Sequence, residues 1–219
     1  MKLSIGFGKG NIEFEADEKR LIGVLKPNNV SIGQTGRDEI VRAIKNPIDS
    51  PRLKDIVKPG EKIVIVTSDI TRPMPSKLVL PEILEELMEA GAATEDITVI
   101  FALGSHRKHS VDEMKYLAGN EVFSKVKCID SDVNECVQMG KTSNGTPVDI
   151  FKPVAEADRR ICLGNIDYHY FAGYSGGAKA IMPGVSTRSA IQANHSKMVM
   201  EQAKAGEMDT NPVRRDIDE

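Results

Sequence analysis

The sequence predicts an α/β fold, a mainly parallel sheet flanked by helices, with a β-hairpin at its amino terminus. Three observations carry this. Lys62-Ile-Val-Ile-Val-Thr67 is an almost wholly apolar run between Pro59-Gly60 and a polar loop, the pattern of a strand covered on both faces. The order strand, polar loop, helix then repeats along the chain, as it does when helices connect parallel strands. Finally, the apolar run Arg160 to Leu163 empties into a loop marked by Gly164, Gly173, Gly176, Gly177 and Gly184.

Taken in order, Lys2 to Phe7 and Ile12 to Glu15 alternate apolar and polar residues about Gly8-Lys-Gly10, which predicts the hairpin. Leu21 to Leu25 is expected as a third strand ended by Pro27. Arg37 to Ile44 carries Ile40, Val41 and Ile44 at helical spacing, with Thr35-Gly36 before it and Asn46-Pro47 as a stop. After the apolar strand at Lys62 come the loop Ser68-Asp-Ile-Thr-Arg-Pro73 and a helix from Leu78 to Ala90. Pro81 is tolerated near the start of that helix and Gly91 ends it. Asp96 to Ala102 is a second buried strand, followed by Leu103-Gly-Ser-His106-Arg-Lys-His109-Ser110 and a helix from Val111 to Ala118. Lys125 to Ile129 is a third strand. Cys136 to Met139 and Val148 to Phe151 pair about Ser143-Asn-Gly145, and Arg160 to Leu163 feeds the glycine-marked loop. Ser186 is expected to cap a helix carrying Ala190, Ile191, His195, Met198 and Met200 and running past Ala203. A last helix starts at Pro212 and is cut off after about two turns. The 219 residues are therefore expected to be a fragment of a longer protein.

Composition narrows the partners. With 219 residues, 40% of them hydrophobic, the chain can bury one substantial core. A net charge of -3, with 29 basic residues scattered and no aromatic platform, argues against nucleic acid. No apolar run approaches the roughly 18 residues of a membrane span, and Met1 leads into a strand pattern instead of a signal peptide, so the expected compartment is the cytoplasm. Cys128, Cys136 and Cys162 are odd in number and lack C-x-x-C spacing, which suits reduced core or edge residues and not metal ligands.

The loops hold the chemistry. Ligands of open α/β sheets lie beyond the carboxyl ends of parallel strands, and three strands here end in Asp69-Ile-Thr-Arg72, His106 and His169. Gly173, Gly176 and Gly177 allow close backbone approach and offer N–H groups to an anion, and Pro183-Gly184 keeps Lys179 in a loop. The stretch has the outline of a P-loop but fails it in detail. Ala178 replaces the glycine before the lysine, Ala180 removes the magnesium-binding hydroxyl, and Pro183 falls where the helix should run. Singly, each residue has a plain alternative: Asp69 and Arg72 as a loop ion pair, His106 as a turn residue, His169 as a packed ring, His195 as a helix-face histidine, the glycines as shapers of turns.

Ser68 to Pro73, Ala102-Leu-Gly-Ser-His106-Arg107, the whole Gly164 to Gly184 stretch and Ala190-Ile-Gln-Ala-Asn-His195 together resemble the nickel-pincer-nucleotide lactate racemase family. The resemblance covers essentially the entire chain, which corresponds to the family's amino-terminal domain, with the carboxy-terminal domain absent. It implies a racemase or epimerase of small 2-hydroxy acids acting by hydride transfer through a 2-keto acid. The implied cofactor is the nickel pincer nucleotide, Ni(II)-pyridinium-3,5-bisthiocarboxylic acid mononucleotide, joined covalently to Lys179. It further implies His195 as nickel ligand and His106 and His169 as paired acid/base residues. Asp69, Thr71 and Arg72 match the segment that contacts the cofactor, and Ser175, Gly176 and Gly177 would cradle its phosphate. Cofactor-synthesis and nickel-insertion proteins are the implied partners.

Such chemistry accounts for the residue types. The Cα hydrogen of a 2-hydroxy acid is too weakly acidic for a side-chain base, which favours hydride removal coupled to loss of the hydroxyl proton. Histidines with pKa near 6.5 serve either enantiomer, and a planar pincer leaves nickel needing a single protein ligand. A phosphotransferase using the glycines and Lys179, or a non-catalytic ligand-binding module, are the other readings; the first needs a magnesium ligand set, and the second needs none of the three histidines.

Overall fold

The computed structural model describes residues 1–219, which form two compact units, Met1–Gln34 and Thr35–Glu219. In the first, β1 (Lys2–Phe7) and β2 (Gly10–Glu15) pair antiparallel from Lys2 opposite Glu15 to Phe7 opposite Gly10. The strand expected at residues 21–25 does not form: Ile22 and Leu25 are fully exposed. An apolar run becomes a strand only by finding a ladder for its backbone groups, and this segment pairs with none.

The second unit begins with α1 (Gly36–Lys45) and α2 (Leu53–Ile56), and continues through β3 (Ile63–Ser68), α3 (Ser76–Glu89), β4 (Ile97–Ala102), α4 (Val111–Ala118), α5 (Asn120–Lys125) and β5 (Lys127–Asp130). The hairpin β6 (Cys136–Lys141) and β7 (Pro147–Phe151), α6 (Lys152–Ala155), β8 (Arg159–Cys162), the short pair β9 (Tyr168–His169) and β10 (Gly173–Tyr174), α7 (Arg188–His195) and α8 (Pro212–Asp218) complete it. The sheet order is β5-β4-β3-β8, parallel throughout, with Ile63 of β3 opposite Ile97 of β4 and Arg159 of β8. The expected parallel sheet flanked by helices, and the separate hairpin, are both present.

Alternation along β3 and β4 divides the core in two. Ile63, Ile65, Ile97, Val99 and Phe101 pack with Leu80, Ile83, Leu87 and Leu117 of the helices on one face. Val64, Val66 and Ile100 meet Ile150, Phe151, Val154 and Val185 on the other. Each such buried aliphatic or aromatic side chain stabilises the fold by ~1.5–3 kcal/mol, so β3 is the anchored element from which the site loops depart. A third cluster, Phe171, Ala172, Met182, Ala190, Val213 and Ile217, fastens the glycine-marked segment to α7 and α8.

The helix expected from Ser186 past Ala203 is shorter at both ends. Ser186 bridges Ile150 and donates its hydroxyl to the Ile181 carbonyl at 3.0 Å, and Thr187 is the N-cap, accepting from the Ala190 N–H at 3.2 Å. At the other end the Ser196 hydroxyl donates back to the Ala193 carbonyl at 2.8 Å, competing with the helical ladder, and a single 3-10 turn, Ser196–Val199, ends the element. No helix is long and apolar enough to cross a membrane.

Candidate functional site

Because β3, β4 and β8 run parallel, their following loops leave on one side. The loop after β3 is tightly organised. Asp69 is buried, and Thr71 donates its hydroxyl to the Asp69 carboxylate at 2.9 Å. From the loop after β4, His106 brings Nδ1 to 2.8 Å from Asp69 Oδ2. A carboxylate only accepts, so Nδ1 carries the hydrogen, and in the neutral ring Nε2 keeps its lone pair.

His109, which sequence reasoning left without a role, lies beneath this pair. Its side chain is buried, Nδ1 lies 2.6 Å from Asp130 Oδ1, and Nε2 accepts the Ile70 N–H at 3.1 Å. It thus ties the Asp69–Arg72 loop to the end of β5. His106 falls within the motif that carries the resemblance and His109 outside it, so the role of His109 shows only in its burial.

The loop after β8 closes on itself. Ser175 donates to the Asn165 carbonyl at 2.8 Å and accepts the Asp167 N–H at 2.8 Å, so the hydroxyl expected to help hold a phosphate is engaged in clasping the loop. Gly173, opposite His169 in the β9–β10 pair, has φ +76°, and a Cβ there would lie 2.1 Å from the Glu207 carbonyl oxygen. Only glycine fits. Gly176 is the residue before a 3-10 turn, Gly177–Ala180, that carries Lys179, and the Gly184 carbonyl accepts the Gly104 N–H at 2.9 Å, joining this segment to the loop after β4.

Phe171 organises the remaining histidines. His169 and His195 each meet its ring edge-on, at centroid distances of 4.6 and 5.0 Å. His169 Nδ1 accepts the Ala172 N–H at 3.2 Å, which leaves the hydrogen on Nε2, the reverse of His106. Burial, and then the charges of Lys179, His195 and Arg72, push the His169 pKa down to about 4. Burial, with Arg72 and Arg214, pushes Lys179 down to about 8, and burial with Lys179 lowers His195. Arg72, His169, Lys179 and His195 therefore share one electrostatic neighbourhood, while His106 joins it through Asp69 and Thr71 in the loop that carries Arg72.

Arg214 is a second residue the sequence did not single out. It is buried on α8, donates to Asp218 at 2.8 Å, and has Nη2 3.5 Å from where a Gly177 Cβ would stand. No cluster of three or more histidine, cysteine, aspartate or glutamate side chains capable of holding a metal is present.

Fold and site thus define an α/β protein with a histidine-rich, cationic site at the carboxyl ends of a parallel sheet, centred on a lysine of lowered pKa. The chain belongs to the lactate racemase N-terminal domain family, whose model matches residues 7–207. It is 33% identical to the lactate racemase of Thermoanaerobacterium thermosaccharolyticum and 29% identical to that of Lactiplantibacillus plantarum, over 98% of this chain and 52% of each relative. The chain spans about half the length of these relatives. The solved structure of the Thermoanaerobacterium thermosaccharolyticum lactate racemase apoprotein superposes with a TM-score of 0.83 at 32% identity, covering 99% of this chain and 52% of that one. A Thermotoga maritima protein, 20% identical with a TM-score of 0.63 over 83% of this chain and 45% of its own, shares the fold.

Proposed function

We propose that this chain is the cofactor-holding part of a racemase acting on a small 2-hydroxy acid of the lactate class. The observation that carries the reading is the shared neighbourhood of Lys179, His169, His195 and Arg72 in a chain of this family. The same residues fit a lysine-tethered nickel pincer nucleotide. An ε-amine lowered to about 8 has a neutral fraction at physiological pH and could condense with a thiocarboxylic acid, the new C–N bond replacing the C–O bond and water leaving as the thioamide forms. Arg214, beside Gly177, and Arg72, whose charge reaches Lys179, suit the nucleotide phosphate. His195 would hold the metal through one imidazole nitrogen, and the organic group would have to supply any further donors. When bound, the group supplies an acceptor for the Cα hydrogen as hydride.

The chain's own residues then handle the hydroxyl proton. His106, with Nδ1–H held by Asp69, presents a bare Nε2 and is the acceptor; His169 presents an Nε2–H that hydrogen-bonds the oxygen from the neutral ring and transfers its proton only from the imidazolium, a form in which Nδ1 has released the Ala172 N–H. Exchange of these roles serves the opposite enantiomer and requires His169 to give up the Ala172 N–H. Arg72 orients the carboxylate or cofactor beside them. Tethering removes the Lys179 charge, and with it one of the contributions that hold His169 low. A phosphoryl-transfer reading finds neither a carboxylate cluster for magnesium nor a hydroxyl at Ala180.

The test is intact mass with nickel analysis and peptide mapping on the protein made with and without cofactor-synthesis enzymes. An adduct on Lys179 together with nickel is expected only in their presence; an adduct on another residue, or none, overturns the assignment.

A further inference from the structure

The residue before His195 is fully buried and fully committed. Asn194 Nδ2 donates to the Val213 carbonyl at 3.0 Å and to Asp216 Oδ2 at 3.1 Å. With the amide turned over, its oxygen would face a carbonyl and a carboxylate, neither of which can donate. Oδ1 is thereby aimed at His195 Nδ1, 3.1 Å away. An amide oxygen only accepts, so Nδ1 carries the hydrogen.

Asp216 cannot turn aside to release this amide. Its carboxylate is wholly buried and also accepts from Thr142 at 2.5 Å, from Thr146, and from Lys197 at 2.7 Å. The hairpin β6–β7, α7 and α8 meet at this one carboxylate, and the amide is what transmits their geometry to the imidazole.

We propose that Asn194, held by Asp216 and the Val213 carbonyl, is the positioning residue of His195: it sets the Nδ1–H tautomer and leaves Nε2 as the bare nitrogen. A histidine side chain in water prefers its hydrogen on Nε2, so the fold reverses the intrinsic choice. The purpose rests on reading His195 as the metal ligand, because an imidazole binds a metal only through a bare nitrogen and is oriented by what its other N–H meets. The tautomer itself is a property of the chain without metal.

Long-range 1H–15N spectra of the histidine-labelled chain at neutral pH read the tautomer directly. The wild type is expected to show a hydrogen-bearing Nδ1 and a bare Nε2 at His195, and Asn194→Ala a shift towards the Nε2–H form, with circular dichroism confirming its fold. Cofactor-loaded Asn194→Ala should hold nickel ~10–100-fold more weakly. A wild-type spectrum with the hydrogen on Nε2 overturns the proposal whether or not the variant folds, and so does an unchanged tautomer in a folded variant. Undiminished nickel in His195→Ala, beside an Nδ1–H wild type, would instead overturn the ligand reading alone.

Discussion

Asp69 and His106 stand 37 positions apart in sequence and meet at 2.8 Å, carboxylate Oδ2 to imidazole Nδ1. The carboxylate is buried and the ring half-open, at 4% and 40% side-chain exposure, so a sheltered charge orients a group still accessible to a ligand. Asp69→Asn puts an amide, able to donate, against Nδ1 and frees the opposite tautomer. On the proposed racemase reading, kcat should fall about 10²–10⁴-fold, as should that of His106→Gln. A racemisation assay showing the wild-type rate in both would remove this pair from proton transfer.

Lys179, lowered to about 8 by burial and by Arg72 and Arg214, should be the most readily acylated lysine at mildly alkaline pH. Limited amine acylation of the cofactor-free chain, read by peptide mapping across pH, is expected to give a midpoint near 8 at this residue. Labelling that rises only with the bulk of the lysines would contradict its depressed pKa.

His169 contributes to acid instability. Its pKa is about 4 in the folded chain against an ordinary 6.5, so between these values the unfolded chain binds more protons and stability falls as pH is lowered. His169→Gln should flatten that part of a denaturation-versus-pH curve. Lys179→Met removes a positive neighbour and should raise the His169 pKa, which NMR titration measures; a fall would place the lysine elsewhere.

His109→Ala leaves the Asp130 carboxylate and the Ile70 N–H without their partner in a buried place. A loss of about 2 kcal/mol in unfolding free energy is expected. The proposed racemase activity should drop with it, because the loop bearing Asp69 and Arg72 loses its tie to β5. His109→Gln, which restores an acceptor, should recover part of both. Unaltered denaturation by His109→Ala would show the contact to be idle.

Gly173 and Gly177 separate packing from approach. Gly173→Ala forces a Cβ to 2.1 Å from the Glu207 oxygen at φ +76°, and should cost about 3 kcal/mol. Gly177→Ala, at φ +56°, meets only the Arg214 guanidinium at 3.5 Å and should cost about 1 kcal/mol while hindering a phosphate. Thermal melts of the two variants decide whether the order holds.

Much of this was legible before any coordinates. The apolar runs that became β3 and β4 are buried on both faces, a condition that leaves few sequence alternatives; β8 is the sheet's edge, with Arg160 and Cys162 exposed, and the positions after these three strands drew attention to Asp69, His106, His169 and Lys179. Where local pattern was the only guide it failed at residues 21–25, which lacked a partner strand, and at the end of α7, where a serine hydroxyl competes for a helical carbonyl.

The sequence by itself determined the fold class, the family and the loops that bear the chemistry, because periodicity, turn residues and motif spacing are local properties of the chain. Only the tertiary structure decided which nitrogen of each histidine carries the hydrogen, that Ser175 is spent on its own loop, and that His109, Asn194 and Arg214 stand behind the site. Those outcomes depend on hydrogen bonds and burial between residues far apart in the chain, and no local pattern encodes which distant donor or acceptor a buried group will meet.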